Sequence, residues 1–209
     1  MVIPQFMTSI ITGDIIKSRK IPGEDQWLNP LKLALSHVTK DASFFDIYRG
    51  DSFQLECPNI ADSFITAVYI KAFLKSIKGL DARMSIGIGA KDYQGESVSE
   101  SNGEAFVYSG ETFETLKKDK QNLKVKTSNA HLNREINLYF RLALIAMDNW
   151  TTNSAEIVKL SLEFPNKIQR ELAKIIGISQ DAVSKRQKRA YLDEVLELDA
   201  VYRQKITEL

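Results

Sequence analysis

Phe44-Phe45-Asp46-Ile47-Tyr48-Arg49-Gly50-Asp51-Ser52-Phe53-Gln54-Leu55-Glu56-Cys57 carries the reading of the fold. Two β-prone runs, Phe44 to Tyr48 and Phe53 to Cys57, flank Arg49-Gly50-Asp51-Ser52, and a Gly-Asp step supplies turn conformations that other residues resist. An antiparallel hairpin is predicted. Upstream, Met7 to Thr12 reads as a first strand ending at Gly13-Asp14. Asn29-Pro30 then opens a helix, Asn as cap and Pro at the first helical position, with Leu31, Ala34, Leu35 and Val38 on one apolar face. Downstream, an amphipathic helix is predicted from about Ile60 to Ile77, and Gly79 stops it. Arg83-Met84-Ser85-Ile86-Gly87-Ile88-Gly89 alternates with period two, as a half-buried strand does. Asp92 to Asn102 reads as a mobile surface loop, Glu104 to Leu116 as a helix, and Leu123 to Thr127 as another alternating strand. From about His131 onward nearly every segment reads as helix.

This order of β, α, β-hairpin, α, β, α, β predicts one antiparallel-containing sheet covered by helices on one side, the ferredoxin-like or palm arrangement. The expected class is α+β: a palm domain over residues 1–130, then an all-α domain over 131–209 with a helix-turn-helix at about 165–190. The 209 residues include 28 Lys and Arg against 27 Asp and Glu, a net charge of +1. That balance argues against wholesale electrostatic capture by nucleic acid or membrane and leaves room for a local basic patch. With one cysteine, Cys57, and two histidines, an intrachain disulfide is excluded and structural zinc is disfavoured. No apolar stretch approaches the ~20 residues of a membrane span, and no secretory signal opens the chain. A soluble cytoplasmic protein is expected.

Asp14 closes the first strand and Asp51 lies in the hairpin turn, far enough apart for one helix to stand between adjacent strands. Neighbouring palm strands would bring both carboxylates to one edge. Two hard oxygen ligands there favour Mg²⁺ or Mn²⁺, helped by the Ile15 carbonyl, with the rest of the shell from water and substrate phosphates. Lys17, Ser18 and Arg19 follow Asp14 in a short turn and could receive phosphate oxygens, as could Arg49, Gly50 and Ser52 in the hairpin turn.

Thr12-Gly13-Asp14-Ile15-Ile16-Lys17-Ser18-Arg19 resembles the metal-binding first strand of class III nucleotidyl cyclases and GGDEF-type palm domains, and Arg49-Gly50-Asp51-Ser52-Phe53 resembles the GGDEF hairpin. Arg83 to Gly89 is similar to the next cyclase strand, and Gly103-Glu104-Ala105-Phe106 to the start of the helix after it. With its terminal helical part, the chain as a whole resembles the SatD family of bacterial proteins. The resemblance implies a palm with a metal site and a nucleotide or phosphate ligand. Cyclases carry an asparagine and an arginine on that helix, whereas Val107-Tyr108-Ser109-Gly110-Glu111 has neither. Phosphoryl transfer needs that charge, so the resemblance favours ligand binding, with an active cyclase or nucleotidyltransferase as the alternative.

Gln169 to Val183 fits a helix-turn-helix: Ala173 is small where helices cross, Gly177 supplies a left-handed turn, and Ser179 caps the second helix. That helix would present Ser179, Gln180, Asp181, Ser184, Lys185, Lys188 and Arg189 to double-stranded DNA. Four basic residues from Lys185 to Arg189 against Asp181 suit phosphates, and the early Gln and Ser suit base edges. The last helix keeps Leu192, Val195, Leu196, Asp199 and Tyr202 on one face, either for a homodimer or as a cover for the helical core. The expectation is a cytoplasmic bacterial regulator that binds DNA and senses a metal–nucleotide or phosphate ligand.

Overall fold

Strand β1 (Phe6–Ile15) runs three residues past Thr12 and contains Asp14, the residue expected at its close. The structure, a computed structural model, describes residues 6–48 and 50–209, and Phe6 through its backbone alone. The hairpin is β2 (Phe45–Tyr48) and β3 (Ser52–Cys57); Gly50 between them has φ 88°, a conformation that side chains strain. Strands β4 (Ala82–Lys91) and β5 (Leu123–Lys126) complete a five-stranded sheet in the order β2-β3-β1-β4-β5. Neighbours are antiparallel except β4 and β5, which are parallel. The helices are α1 (Asp25–Val38), α2 (Ser63–Lys75), α3 (Glu104–Asp119), α4 (Ala130–Met147), α5 (Thr152–Glu163), α6 (Gln169–Ile176), α7 (Gln180–Ala190) and α8 (Leu192–Ile206). The class is α+β with a mixed sheet. No helix among the described residues is long and apolar enough to cross a membrane.

Side chains alternate across a sheet. On one face Ile11, Phe53, Met84, Ile86 and Ile88 join Leu31, Leu35, Phe64 and Val68 from α1 and α2. On the other, Ile10 meets Ala105 and Phe106 of α3. Helices therefore cover both faces, which corrects the one-sided cover predicted from element order. Glycine is the reason. A Cβ on Gly87 would stand 2.1 Å from the Ala105 carbonyl oxygen and 2.3 Å from the Ser109 nitrogen. The positions of β4 that read as its outer half, Ser85, Gly87 and Gly89, are the seat of α3. Ser109 is buried there, accepting from the Thr12 hydroxyl at 3.0 Å while its carbonyl accepts from the Ser85 hydroxyl at 2.7 Å.

Helix boundaries also differ from the sequence reading. α1 begins at Asp25, which leaves Pro30 inside it. Trp27, Leu31 and Leu35 are all buried and share one side of this helix, and their packing outweighs the single N–H bond that Pro30 forfeits. α2 opens with a 3-10 turn over Ile60–Asp62 and is buried around most of its circumference, not along one stripe. The 92–102 loop closes on itself, with Tyr93 and Asn102 exchanging two backbone hydrogen bonds of 3.0 Å over a buried Val98.

The main core runs on into the helical part of the chain through Leu132, Ile136, Phe140, Met147, Trp150, Val158, Val195, Tyr202 and Ile206. Phe140 stacks on Phe64 with centroids 4.8 Å apart, and Tyr202 closes the cluster. Beside it Lys71, fully buried, pairs with Asp81 at 2.8 Å and Asp148 at 2.7 Å, and Lys75 reaches Asp81 at 3.2 Å. Ile157, Leu160, Leu172, Ala173 and Val183 form a second, small core between α5, α6 and α7. The outer edge of β5 is occupied by two side chains of α4. Asn137 accepts from Val125 N–H and donates to its carbonyl, and Asn133 does the same for Thr127, all at 2.8 Å.

Candidate functional site

Strand register brings the two acids together. Asp14 on β1 stands opposite Ser52 of β3 on one side and Arg83 of β4 on the other. The Ile15 N–H donates to the Asp51 carbonyl at 3.0 Å and ties the strand end to the hairpin turn. A cleft of about 750 Å³ opens at this corner of the sheet, beneath the C-terminal half of α3. Of the residues predicted from sequence, Asp14, Ile15, Lys17, Ser18, Arg19, Asp51 and Ser52 line it. Gly50 is exposed in the adjoining turn, and Arg49 lies outside the described residues.

The cleft also holds Lys20, Arg83, Phe113, Glu114 and Lys117, which the sequence did not single out. Arg83 heads an alternating strand, and only the register reveals that it faces Asp14. Lys117 falls in the last turn of α3, past the predicted helix end. Lys17 has φ 60°, a left-handed backbone that turns the chain sharply after β1.

Burial raises the Asp14 carboxyl above its ordinary pKa, and the Asp51 charge adds to the effect; the hydrogen bond and charge of Arg83 pull the other way, as does Lys117. Arg83 donates to Asp14 Oδ2. Asp14 Oδ1 is buried without a hydrogen-bond partner among the described residues. Asp51 Oδ2 accepts from the buried Ser18 hydroxyl, so Ser18 braces a carboxylate instead of standing free in the turn. An orphaned buried acceptor costs about 1–3 kcal/mol, and a hard cation would satisfy it. Two carboxylates and the Ile15 carbonyl are hard oxygen donors, the type that Mg²⁺ or Mn²⁺ takes. Among the described residues no group of three or more His, Cys, Asp or Glu is placed to hold a metal by itself.

A second surface is built by α6 and α7. Gly177 takes φ 77° at the end of α6, and the Ser179 hydroxyl accepts from the Ala182 N–H at 3.2 Å to start α7. Val183 and Ala190 are buried, while Ser179, Gln180, Asp181, Ser184, Lys185, Lys188 and Arg189 are exposed. Arg186 turns inward to Glu156 at 2.7 Å, and Gln187 bonds to Ser161 and Gln169. These inward contacts fix which side of α7 faces out. Lys185 and Asp181 form an exposed pair at 2.8 Å.

No family model, curated protein or solved structure matches the chain.

Proposed function

We propose that the chain is a cytoplasmic bacterial regulator of the SatD kind, a palm domain joined to a DNA-binding helix-turn-helix. The observation that carries this reading is the outward side of α7. Its polar and basic side chains are free of the core, while Arg186 and Gln187 anchor the opposite side. A capped helix after a glycine turn, with early Gln and Ser and late Lys and Arg, suits base edges and phosphates respectively. The palm reading draws support from the antiparallel order β2-β3-β1-β4 with α1 and α2 on one face. Binding would use two copies, because one small module buries too little surface for tight recognition. Fluorescence anisotropy with duplex DNA at two salt concentrations tests the reading; absence of salt-dependent binding rejects it.

In this reading the cleft at Asp14 and Asp51 senses a metal–nucleotide or other phosphate ligand. The cation would be held by Asp14, Asp51 and the Ile15 carbonyl, and it would neutralise phosphate charge. Lys17, Arg19 and Lys117 would add positive walls around that charge. In thermal-shift titrations Mn²⁺ is expected to stabilise the wild type, since a ligand that binds only the folded form must raise its stability. Asp14→Asn should abolish that stabilisation with the fold intact. An unchanged metal response in Asp14→Asn/Asp51→Asn would reject the site.

One observation favours a second reading, a divergent nucleotidyl cyclase or nucleotidyltransferase. Arg83 and Lys117 bring to the cleft positive charge that the 107–111 stretch lacks. Long incubations with ATP or GTP and Mn²⁺, followed by chromatography, are expected to show little or no cyclic or linear product. Product at several turnovers per minute would favour the enzyme.

A further inference from the structure

The cleft already contains a cation, and it belongs to the protein. Arg83 is fixed by strand register opposite Asp14 and donates to its Oδ2. Its guanidinium lies over the ring of Phe113, 5.9 Å from the centroid. Phe113 and Lys117 share one side of α3, one turn apart, and both line the cleft. The Arg83 and Asp14 side chains are mostly covered, at 15% and 12% exposure, so neither charge is well served by water. Asp51 is engaged by Ser18, whereas the second oxygen of Asp14 has no hydrogen-bond partner among the described residues.

A divalent cation entering at Oδ1 would neutralise the carboxylate and weaken its hold on the guanidinium at Oδ2. It carries twice the charge, and the carboxylate has one oxygen already free to receive it. A displaced guanidinium would still be held near the cleft by Phe113 and would present a planar fork of donors, which matches a phosphate group in two-point contact.

We propose that Arg83 is an exchangeable partner: it neutralises Asp14 in the cation-free cleft and becomes a ligand for phosphate oxygens once a divalent cation takes that carboxylate. The proposal rests on the reading of the cleft as a metal and phosphate site. It makes the two ligands interdependent, because each cation bound releases one phosphate-binding side chain.

The consequence is a pair of opposite effects from one substitution. In Arg83→Gln, calorimetric titration with Mn²⁺ alone should show binding about tenfold tighter than wild type, since the competing ion pair is gone. Binding of inorganic pyrophosphate in saturating Mn²⁺ should be about tenfold weaker, since a charged two-point contact is lost. Arg83→Lys keeps a point charge without the fork and should fall between wild type and Arg83→Gln for pyrophosphate. It also serves as the test protein should the glutamine variant fail to fold. If Arg83→Gln weakens both ligands, or changes neither, Arg83 is only a structural partner and the exchange is wrong while the metal site stands. If wild type binds neither Mn²⁺ nor pyrophosphate, the reading of the cleft itself fails and the exchange with it.

Discussion

Alanine at Lys185, Lys188 and Arg189 together is expected to remove most of the salt dependence of DNA binding while leaving the fold unchanged. All three side chains are exposed, and the core of this segment rests on Val183 and Ala190, which the substitution does not touch. Arg186 is left in place, since its guanidinium holds Glu156. Each phosphate contact contributes about 0.9 units to the slope of log affinity against log salt, so losing three lowers the slope by about 2.7. Between 50 and 200 mM salt the wild type should then lose roughly 40-fold more affinity than the variant. The Lys185–Asp181 pair costs little to give up, because both groups are solvated. Gln180→Ala or Ser184→Ala should instead relax sequence preference by about 1–3 kcal/mol at the base contacted. Ser179 is unsuited to such a test, as its hydroxyl caps α7. Equal binding by wild type and the triple variant at both salt concentrations would show that α7 does not touch DNA.

A second large effect is expected in stability, and its order runs against intuition. Asp81→Ala should destabilise the protein by about 3 kcal/mol, whereas Lys71→Met, which deletes the buried charge itself, should cost about 1–2 kcal/mol. Lys71 is fully buried and depends on Asp81 and Asp148 for its compensation. Removing Asp81 takes away half of that compensation, leaves Lys75 with the Asp148 carbonyl, and deprives the Ala82 N–H of the same carboxylate. Removing the ammonium leaves Asp81 its contacts with Lys75 and the Ala82 N–H and leaves Asp148 Oδ2 its contact with Asn122, so the loss is confined to Asp148 Oδ1, which is buried. For a chain of this size about 3 kcal/mol corresponds to a melting temperature lower by roughly 6–12 °C. Urea or thermal unfolding of the two variants checks the ranking, and a larger loss in Lys71→Met would reverse it. Asp81 also accepts from the Ile16 N–H through its backbone carbonyl at 2.9 Å, a contact to the loop after Asp14 that the substitution leaves in place.

Local chemistry was legible in the sequence where it is dictated locally. The hairpin around Gly50, the glycine turn at Gly177 and the cap at Ser179 are set by residues a few positions apart, and the structure has each of them. The gathering of Lys17, Arg19, Asp14 and Asp51 into one cleft followed from placing β1 beside the hairpin. Arg83 escaped because its partner lies far away in sequence, and a period-two pattern says which side chains share a face, not which carboxylate they face. The seat of α3 escaped for a related reason: Gly87 reads as a weak strand position until a helix backbone is found against it. The start of α1 was misplaced because Pro30 is a strong local signal, and the burial of Trp27 that overrules it is a tertiary fact.

The asparagine pair on α4 bears on how the chain reaches its folded state without sticking to its neighbours. A strand at the margin of a sheet leaves a row of unpaired amide and carbonyl groups that another polypeptide can zip onto. Here Asn133 and Asn137 answer those groups at Val125 and Thr127 with side chains. The guard follows directly in the chain, so it closes by a short-range contact, the kind that forms early. On a ribosome β5 emerges just ahead of the helix that shields it. Its interval of adhesiveness is therefore brief, and self-association of nascent or partly unfolded chains is discouraged by an element already committed to packing against the core.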